Sequence, residues 1–138
     1  MKINFAHLSD YASISREGKL SVMGIFDRLT YAQVPAVHPV MYLAFEVELS
    51  RDELGQPFTL RIDLVDQDGK LVNQVVAQGG INLKPGKTID ITDVPHIPQV
   101  ISFGSVTFQQ HGGYNVNFWL NDRLDYTVRF AVVDAPGD

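Results

Sequence analysis

Apolar and polar residues alternate with a period of two along most of this chain, which is the pattern of β-strands that bury one side. No window of a dozen residues shows the helical spacing of apolar residues. The one helical signal is the stretch "SRDELG", in which Ser50 would cap a single turn that ends at Gly55. Turn residues separate the alternating runs. Strands are predicted near residues 3–14, 19–29, 40–49, 57–65, 70–78, 100–110, 113–121 and 124–133.

About eight short strands at this spacing predict an all-β fold, an antiparallel β-sandwich with an apolar interior. The pattern leaves open whether the connectivity is immunoglobulin-like or jelly-roll. Neither a low-complexity tract nor a change of composition interrupts the sequence. Residues 1–138 are therefore expected to form a single domain, and this length suffices to bury a core.

The first two predicted strands are expected to pair as a hairpin, with Ile14 opposite Leu20. The same register sets Asp10 opposite Gly24 on a mostly apolar face. A buried carboxylate needs a partner, because an unpaired charge is costly away from water. Arg28 is the candidate partner, so Asp10 and Arg28 are predicted to form a buried polar pair.

The strands predicted near residues 40–49 and 57–65 also carry matching apolar faces. If they pair side by side, Glu46 lies across from Arg61 on the outer side of the sheet. Opposite charges at such a position stabilise the pairing.

The last three predicted strands are expected to form an antiparallel meander that sets Val116 opposite both Val106 and Phe130. Both registers place apolar residues on apolar residues, and a slip by one residue would destroy the match. Within the first of these strands, the apolar side chains change from one side of the strand to the other. This change predicts a bulge near Gly104 and Ser105.

The meander would present a polar outer face that carries the only tryptophan of the chain. Aromatic stacking surrounded by amides is how many β-sandwich modules hold sugars, and aromatic residues are also enriched in protein interfaces. A third interpretation is that another segment of the same chain covers Trp119. The face comprises Ser105, Thr107, Gln109, Asn115, Asn117, Trp119, Thr127 and Arg129, and the candidate binding residues are Trp119, Asn115, Asn117, Thr127 and Arg129.

Two similar stretches, "VPAVHPVMYL" and "VPHIPQVISF", raise the question whether His38 and His96 form a paired site. No two histidines of the chain lie within four residues of one another, so the short-range ligand pairs of common metal sites are absent. No metal is predicted. Because proline favours extended backbone and cannot donate to a strand ladder, both stretches are interpreted as entrances to strands whose pairing starts at Val40 and Val100.

Charge and composition exclude several classes of function. The net charge is −5 and the eleven lysines and arginines are scattered, whereas nucleic-acid binders concentrate basic residues. The sequence contains no cysteine, which permits a cytoplasmic location and excludes thiolate metal sites. The stretch "MKINFAHLSD" lacks the apolar run of a signal peptide, and no stretch is long enough to cross a bilayer. A cytoplasmic protein without nucleic-acid, membrane or cofactor binding is expected.

Catalytic motifs are missing from the sequence: there is no G-x-S-x-G elbow and no phosphate-binding glycine loop. The expected function is therefore a non-enzymatic binding or assembly module that uses the face around Trp119. Its partner would be another protein or a second copy of the chain in a homo-oligomer. The alternatives are a carbohydrate-binding module and a small hydrolase- or isomerase-type enzyme that uses Asp10, Arg28 or the histidines.

Three segments of the first half, "DYA", "GKLSVMGIFDR" and the proline-rich approach to "YLAFEVEL", carry a resemblance to a known family. They resemble a family of short bacterial proteins that is classified only as a domain of unknown function. The resemblance also extends to the general strand layout of the second half. It implies a compact β-sandwich and supplies no catalytic residues.

Overall fold

The computed structural model describes residues 1–80 and 96–134, which form nine strands and one short helix. The strands are β1 (Lys2–Ile14), β2 (Leu20–Ile25), β3 (Arg28–Thr30), β4 (Ala36–Glu48), β5 (Pro57–Asp66), β6 (Leu71–Gly80), β7 (His96–Phe108), β8 (Gly112–Leu120) and β9 (Arg123–Val133). The helix, Arg51–Glu53, confirms the turn predicted at "SRDELG". The carboxylate of Glu53 accepts hydrogen bonds from the Ser50 N–H at 2.9 Å and from the Ser50 hydroxyl at 2.8 Å.

The strands form two sheets, with the order β2-β1-β4-β7 in the first sheet and β3-β9-β8-β5-β6 in the second. In immunoglobulin nomenclature β1, β4 and β7 occupy the positions of strands A, B and E, and β9, β8, β5 and β6 those of G, F, C and C′. The predicted all-β sandwich is thus confirmed, and its connectivity is immunoglobulin-like. The run predicted as one strand over 19–29 divides into β2 and β3, which belong to different sheets.

The short strand β3 makes the one parallel pairing within the described ranges, and it joins distant parts of the chain. Arg28 lies opposite Ala131 of β9, and Thr30 lies opposite Val133. The other pairings between described strands are antiparallel.

The core fills the space between the two sheets and consists of the inward side chains of the alternating strands. Phe45 of β4 and Phe118 of β8 meet edge to face across it, with ring centroids 5.1 Å apart. Both rings are almost fully buried. Alternation along the sequence identified these inward positions because successive strand residues point to opposite faces.

The hairpin of β1 and β2 has the predicted register, with Ile14 opposite Leu20. The predicted buried pair of Asp10 and Arg28 is wrong, because both side chains are exposed and no ion pair joins them in the described part of the chain. Asp10 lies over Gly24, which has no side chain to cover it, and the carboxylate is therefore exposed. Arg28 belongs to the other sheet.

The predicted pairing of β4 with β5 is also wrong. β4 lies between β1 and β7 in the first sheet, whereas β5 lies between β8 and β6 in the second. Glu46 is therefore not across from Arg61. The alternation of apolar and polar residues is the same whether two strands lie side by side or face each other across the core. The helix after β4 carries the chain from the first sheet to the second.

The predicted meander holds for β8 and β9 only, since β7 belongs to the first sheet. Val116 lies opposite Val128 and not opposite Phe130. The turn is tighter than expected, because Asn121 and Asp122 both adopt the left-handed conformation of a two-residue hairpin turn, with φ of 47° and 65°. From Gly112 to Phe118 the register moves by two residues, which leaves the same side chains facing the core, and it shifts once more between Phe118 and Trp119.

The phase change near Gly104 and Ser105 exists, but it is not the predicted bulge. Phe103 and Val106 are both buried, and Ser105 adopts a left-handed φ of 52°. The register between β4 and β7 nevertheless continues unbroken through this point. The buried positions of both strands change phase at the same level, where His38 lies opposite Val106 and Met41 lies opposite Phe103.

Candidate binding face

The five candidate binding residues lie together on the outer face of β8 and β9. Asn115 is opposite Arg129, Asn117 is opposite Thr127, and Trp119 follows along β8. The Thr127 hydroxyl donates a hydrogen bond of 2.9 Å to the side-chain oxygen of Asn117. The strand register explains why these five side chains lie close together. Their role in binding stays a prediction.

Strand β5 adds a charged group to this face that the sequence analysis assigned elsewhere. Arg61 lies directly opposite Trp119, and its guanidinium carbon is 4.9 Å from the ring centroid. Stacked cations of this kind are held by the negative face of the aromatic ring. The Arg61 Nε donates to the carboxylate of Asp63 at 3.2 Å, and the same carboxylate accepts from Gln74 at 2.8 Å.

Trp119 is half-buried, whereas the sequence analysis considered a side chain that is exposed on the outer face and one that is covered by another segment of the chain. One face of the ring is covered by Arg61, a residue of the same chain. The indole Nε1 is buried and has no hydrogen-bond acceptor among the described residues. A buried donor without an acceptor costs about 1–3 kcal/mol, so this indole is held in an arrangement that leaves one polar group unsatisfied.

Two exposed apolar side chains lie in line with Arg61 and Trp119, and the four side chains form a row across four strands. Val76 of β6 lies opposite Arg61, and Leu124 of β9 lies opposite Trp119. Val76 is 56% exposed and Leu124 is 47% exposed. We call Val76, Arg61, Trp119 and Leu124 the Trp119 row. Val76 escaped the sequence analysis because its place depends on the pairing of β5 with β8 and β6, and Leu124 because the turn between β8 and β9 is tighter than expected.

Two further arginines lie on the same sheet but away from the Trp119 row: Arg129 lies opposite Asn115, and Arg28 lies opposite Ala131, which itself lies opposite Gly113. Arg129 and Arg28 are exposed, and within residues 1–80 and 96–134 neither forms an ion pair with a carboxylate. The face thus carries unpaired positive charge, although the chain has a net charge of −5.

Ser105, Thr107 and Gln109 do not belong to this face, contrary to the prediction. Ser105 and Thr107 lie on β7 in the first sheet and Gln109 follows β7, and the three residues line a cleft of about 500 Å³ together with Asp66 and Asp68. The Asp66 carboxylate accepts hydrogen bonds from the backbone N–H groups of Asp68 and Lys70, at 2.9 Å each. Asp66 therefore closes the turn between β5 and β6.

His38 and His96 do not form a paired site. His38 lies near the start of β4, and its Nδ1 is 2.6 Å from the hydroxyl of Tyr31. His96 lies at the other end of the β4–β7 ladder, where its nitrogens are 3.3 Å from Glu46 and 3.5 Å from Glu48. No group of three or more metal-ligating side chains in the described ranges has an arrangement that could hold a metal ion.

The two proline-rich stretches enter their strands earlier than predicted. Pairing between β4 and β7 starts at Ala36 and at His96, so Val40 and Val100 are interior positions. Val94 and Pro95 of the second stretch lie outside the described residues.

Stability is expected to fall on acidification through His38. Burial lowers the pKa of His38 below its ordinary value, although the Asp10 carboxylate and a hydrogen bond at Val40 oppose the shift. The unfolded chain then binds a proton at a higher pH than the folded chain, so stability is lost as the pH falls below about 6.5. Thermal unfolding from about pH 7.5 to about pH 5.5 should show a smaller loss for His38→Gln than for the unchanged protein. Equal losses would show that the titration of His38 is not linked to folding.

The architecture and the Trp119 row together define an immunoglobulin-like β-sandwich that presents a tryptophan and arginines on one outer face. The chain belongs to a family of unknown function, DUF6941, whose family model matches residues 4–133. The resemblance noted in the sequence is thereby confirmed.

The comparison with curated proteins found no match. Among solved structures, the chain is similar to an immunoglobulin-like protein from Pseudomonas aeruginosa, with 17% sequence identity and a TM-score of 0.40. The similar region covers 95% of this chain and 94% of the other. Within the described residues, no helix is both long and apolar enough to span a membrane.

Proposed function

We propose that this protein is a non-enzymatic binding module that contacts a partner protein through the Trp119 row. The observation that carries the proposal is the row itself, in which an arginine stacked on a tryptophan is flanked by two exposed apolar side chains. Tryptophan and arginine are the residues most enriched among those that dominate binding energy at protein interfaces. The proposal also assigns the module to the cytoplasm, which a chain without cysteine permits.

The charge of the face favours a partner that presents acidic side chains around an apolar contact. Arg129 and Arg28 are exposed on the same sheet as the Trp119 row, and charge complementarity raises the association rate and selects among partners.

The unsatisfied Nε1 of Trp119 also supports a contact at this position. If a partner carboxylate draws Arg61 away from the ring, the indole can turn and its N–H can reach an acceptor. Binding would then relieve the cost of the unpaired donor.

A carbohydrate platform is the second candidate for this face. The amides of Asn115 and Asn117 next to Trp119 favour it. Arg61, however, lies over one face of the ring on which a sugar would stack, and the exposed Val76 and Leu124 offer no hydrogen bonds to hydroxyl groups. The arrangement therefore supports a protein contact better than a sugar contact.

Photo-crosslinking in the organism that encodes the protein tests the proposal. A photo-reactive amino acid in place of Val76 or Leu124 should capture one and the same partner, and in place of Val37 it should not capture it. Val37 is a matched control because it is 58% exposed and lies on the first sheet. Capture should be lost in Trp119→Ala and in Arg129→Glu, the latter at an exposed position where the fold tolerates substitution.

Capture that is equal from all three positions, or that Arg129→Glu leaves unchanged in a folded protein, would contradict the proposal. Titration of the purified protein with glucose, galactose, mannose and N-acetylglucosamine tests the second candidate. Quenching of the single tryptophan by one of these sugars, without any variant-sensitive protein capture, would establish the carbohydrate platform instead.

A further inference from the structure

The cleft of about 500 Å³ lies where the end of β7, in the first sheet, meets the turn between β5 and β6, in the second. Its volume falls within the range of small-molecule sites, about 300–1,000 Å³. Val106 and Tyr114 line the cleft and are each only 2% exposed, so the cleft reaches down to the core. Small-molecule sites combine such a base with a few polar groups that converge on the ligand.

Hydrogen bonds hold two sides of the cleft in place. On one side, the Asp66 carboxylate accepts the N–H groups of Asp68 and Lys70 and so fixes the turn between β5 and β6. On the other side, the backbone oxygen of Gln110 accepts the hydroxyl of Tyr114 at 2.6 Å. Groups that are fixed before binding lose less conformational freedom when a ligand arrives.

Two carboxylates converge on one point of the cleft. The side-chain nitrogen of Gln110 is 3.4 Å from an oxygen of Asp66 and 3.5 Å from an oxygen of Asp68. Both distances are long for an amide donor, whose usual hydrogen bond is about 2.9–3.0 Å. An ammonium group can donate three hydrogen bonds, and its bonds to carboxylates are charge-assisted and stronger. The point between Asp66 and Asp68 therefore suits an ammonium group better than it suits the neutral amide.

The cleft also carries a positive charge that these carboxylates do not neutralise. Lys70 lines the cleft, and among the described residues its ammonium group forms no ion pair. Ser105 and Thr107 line it as well, and within residues 1–80 and 96–134 their hydroxyl groups make no hydrogen bond. A cleft with unpaired charges of both signs and free hydroxyl groups is complementary to a ligand that carries both an ammonium and a carboxylate group.

The backbone at Ser105 is strained in a way that no contact inside the described part of the chain compensates. Its φ of 52° lies in the left-handed region, which glycine adopts without strain and serine does not. Strained residues of this kind cluster at ligand sites. Since its hydroxyl is unbonded, the side chain of Ser105 is available to a ligand in the cleft.

We propose that this cleft binds a free amino acid, whose ammonium group lies between Asp66 and Asp68 and whose carboxylate accepts from Lys70, Ser105 and Thr107. The side-chain amide of Gln110 turns away when the ammonium group takes its place. No residue that lines the cleft belongs to the Trp119 row. The inference therefore goes beyond the partner binding proposed above and does not depend on it.

NMR titration of the full chain with each of the standard amino acids, up to about 10 mM, tests the proposal. We expect at least one of them to bind with a Kd of about 1 mM or tighter. Its binding should shift the backbone amide signals of Asp68, Lys70 and Ser105, which line the cleft, and leave the signal of Leu124 in the Trp119 row unchanged.

Two derivatives of the amino acid that binds test the role of each charge. The amine without the carboxyl group and the N-acetyl derivative without the ammonium group should each bind at least about tenfold more weakly. Lys70→Met should reduce the preference over the amine, and Asp68→Asn should reduce the preference over the N-acetyl derivative. Lys19→Met and Asp52→Asn are the matched controls, because both positions are exposed and lie outside the cleft. They should leave every affinity unchanged.

The variant Ser105→Gly separates binding from folding. Glycine relaxes the left-handed backbone, so the variant should unfold at no lower temperature than the original protein. The loss of the hydroxyl should nevertheless weaken binding of the amino acid about two- to tenfold.

Several results would overturn the proposal. They are the absence of binding by every standard amino acid, equal binding of the amine or of the N-acetyl derivative, and an affinity that is unchanged in Lys70→Met, Asp68→Asn and Ser105→Gly. Displacement of the amino acid by about 1 mM Ca²⁺ would also overturn it, because the carboxylates would then form a cation site.

Discussion

Replacing Phe118 by alanine is expected to lower the free energy of unfolding by about 3–5 kcal/mol, because the loss of a buried aromatic ring removes its packing and leaves a cavity. Phe118 is fully buried and joins the two sheets at the centre of the sandwich. Its ring is 5.1 Å from Phe45 of the opposite sheet and 6.1 Å from Tyr126 of β9. Urea unfolding followed by circular dichroism measures the loss.

The matched control for this substitution is Val76→Ala. Val76 lies in the same sheet and is 56% exposed, so its truncation should change the free energy of unfolding by no more than about 0.5 kcal/mol. A loss below about 1 kcal/mol for Phe118→Ala would mean that the two sheets do not meet at this contact.

Removal of one hydroxyl group, in Tyr114→Phe, is expected to lower the free energy of unfolding by about 1–3 kcal/mol. The hydroxyl of Tyr114 donates a hydrogen bond of 2.6 Å to the backbone oxygen of Gln110. This is the arrangement of the tyrosine corner of immunoglobulin-like sandwiches, which fixes the crossing from one sheet to the other, here from β7 to β8. The variant leaves the ring in place and removes only the donor, so the Gln110 oxygen loses its partner.

The same tyrosine predicts a dependence on alkaline pH. Burial raises the pKa of Tyr114 above its ordinary value, and the Asp66 carboxylate acts in the same direction. The unfolded chain therefore releases this proton at a lower pH than the folded chain, and stability falls as the pH rises above about 10. Between about pH 8 and about pH 11 the original protein should lose more stability than Tyr114→Phe. Parallel losses in the two proteins would show that the buried hydroxyl does not titrate with unfolding.

The sequence predicts the inward and outward positions of this fold well, and the reason is geometric. A strand alternates its side chains whatever strand lies beside it, so the buried positions of Phe45 and Phe118 follow from the pattern alone. The pattern does not encode which strands are neighbours. Glu46 and Arg61 were expected to face each other for this reason, and the structure places them on different sheets.

The candidate binding face shows the same division between what the pattern encodes and what it does not. Asn117 and Thr127 were placed on one face correctly, because a register that moves by two residues keeps each side chain on its face. Arg61 and Val76 were missed, since their place beside Trp119 depends on the pairing of β5 with β8 and β6. Asp10 was expected to be buried, because the alternation pattern does not show that the strand beside it, β2, is the edge of the sheet.

The parallel pairing of β3 with β9 constrains how the chain can fold during synthesis. Arg28 lies opposite Ala131, and the N–H of Ile3 donates a hydrogen bond of 2.7 Å to the carboxylate of Asp125. Contacts between such distant residues close very long loops, and their entropy cost slows folding. On the ribosome, the second sheet cannot be completed until β9 has emerged from the exit tunnel. Until then β3 and β8 both lack the strand between them, and the nascent chain exposes the apolar faces that chaperones recognise.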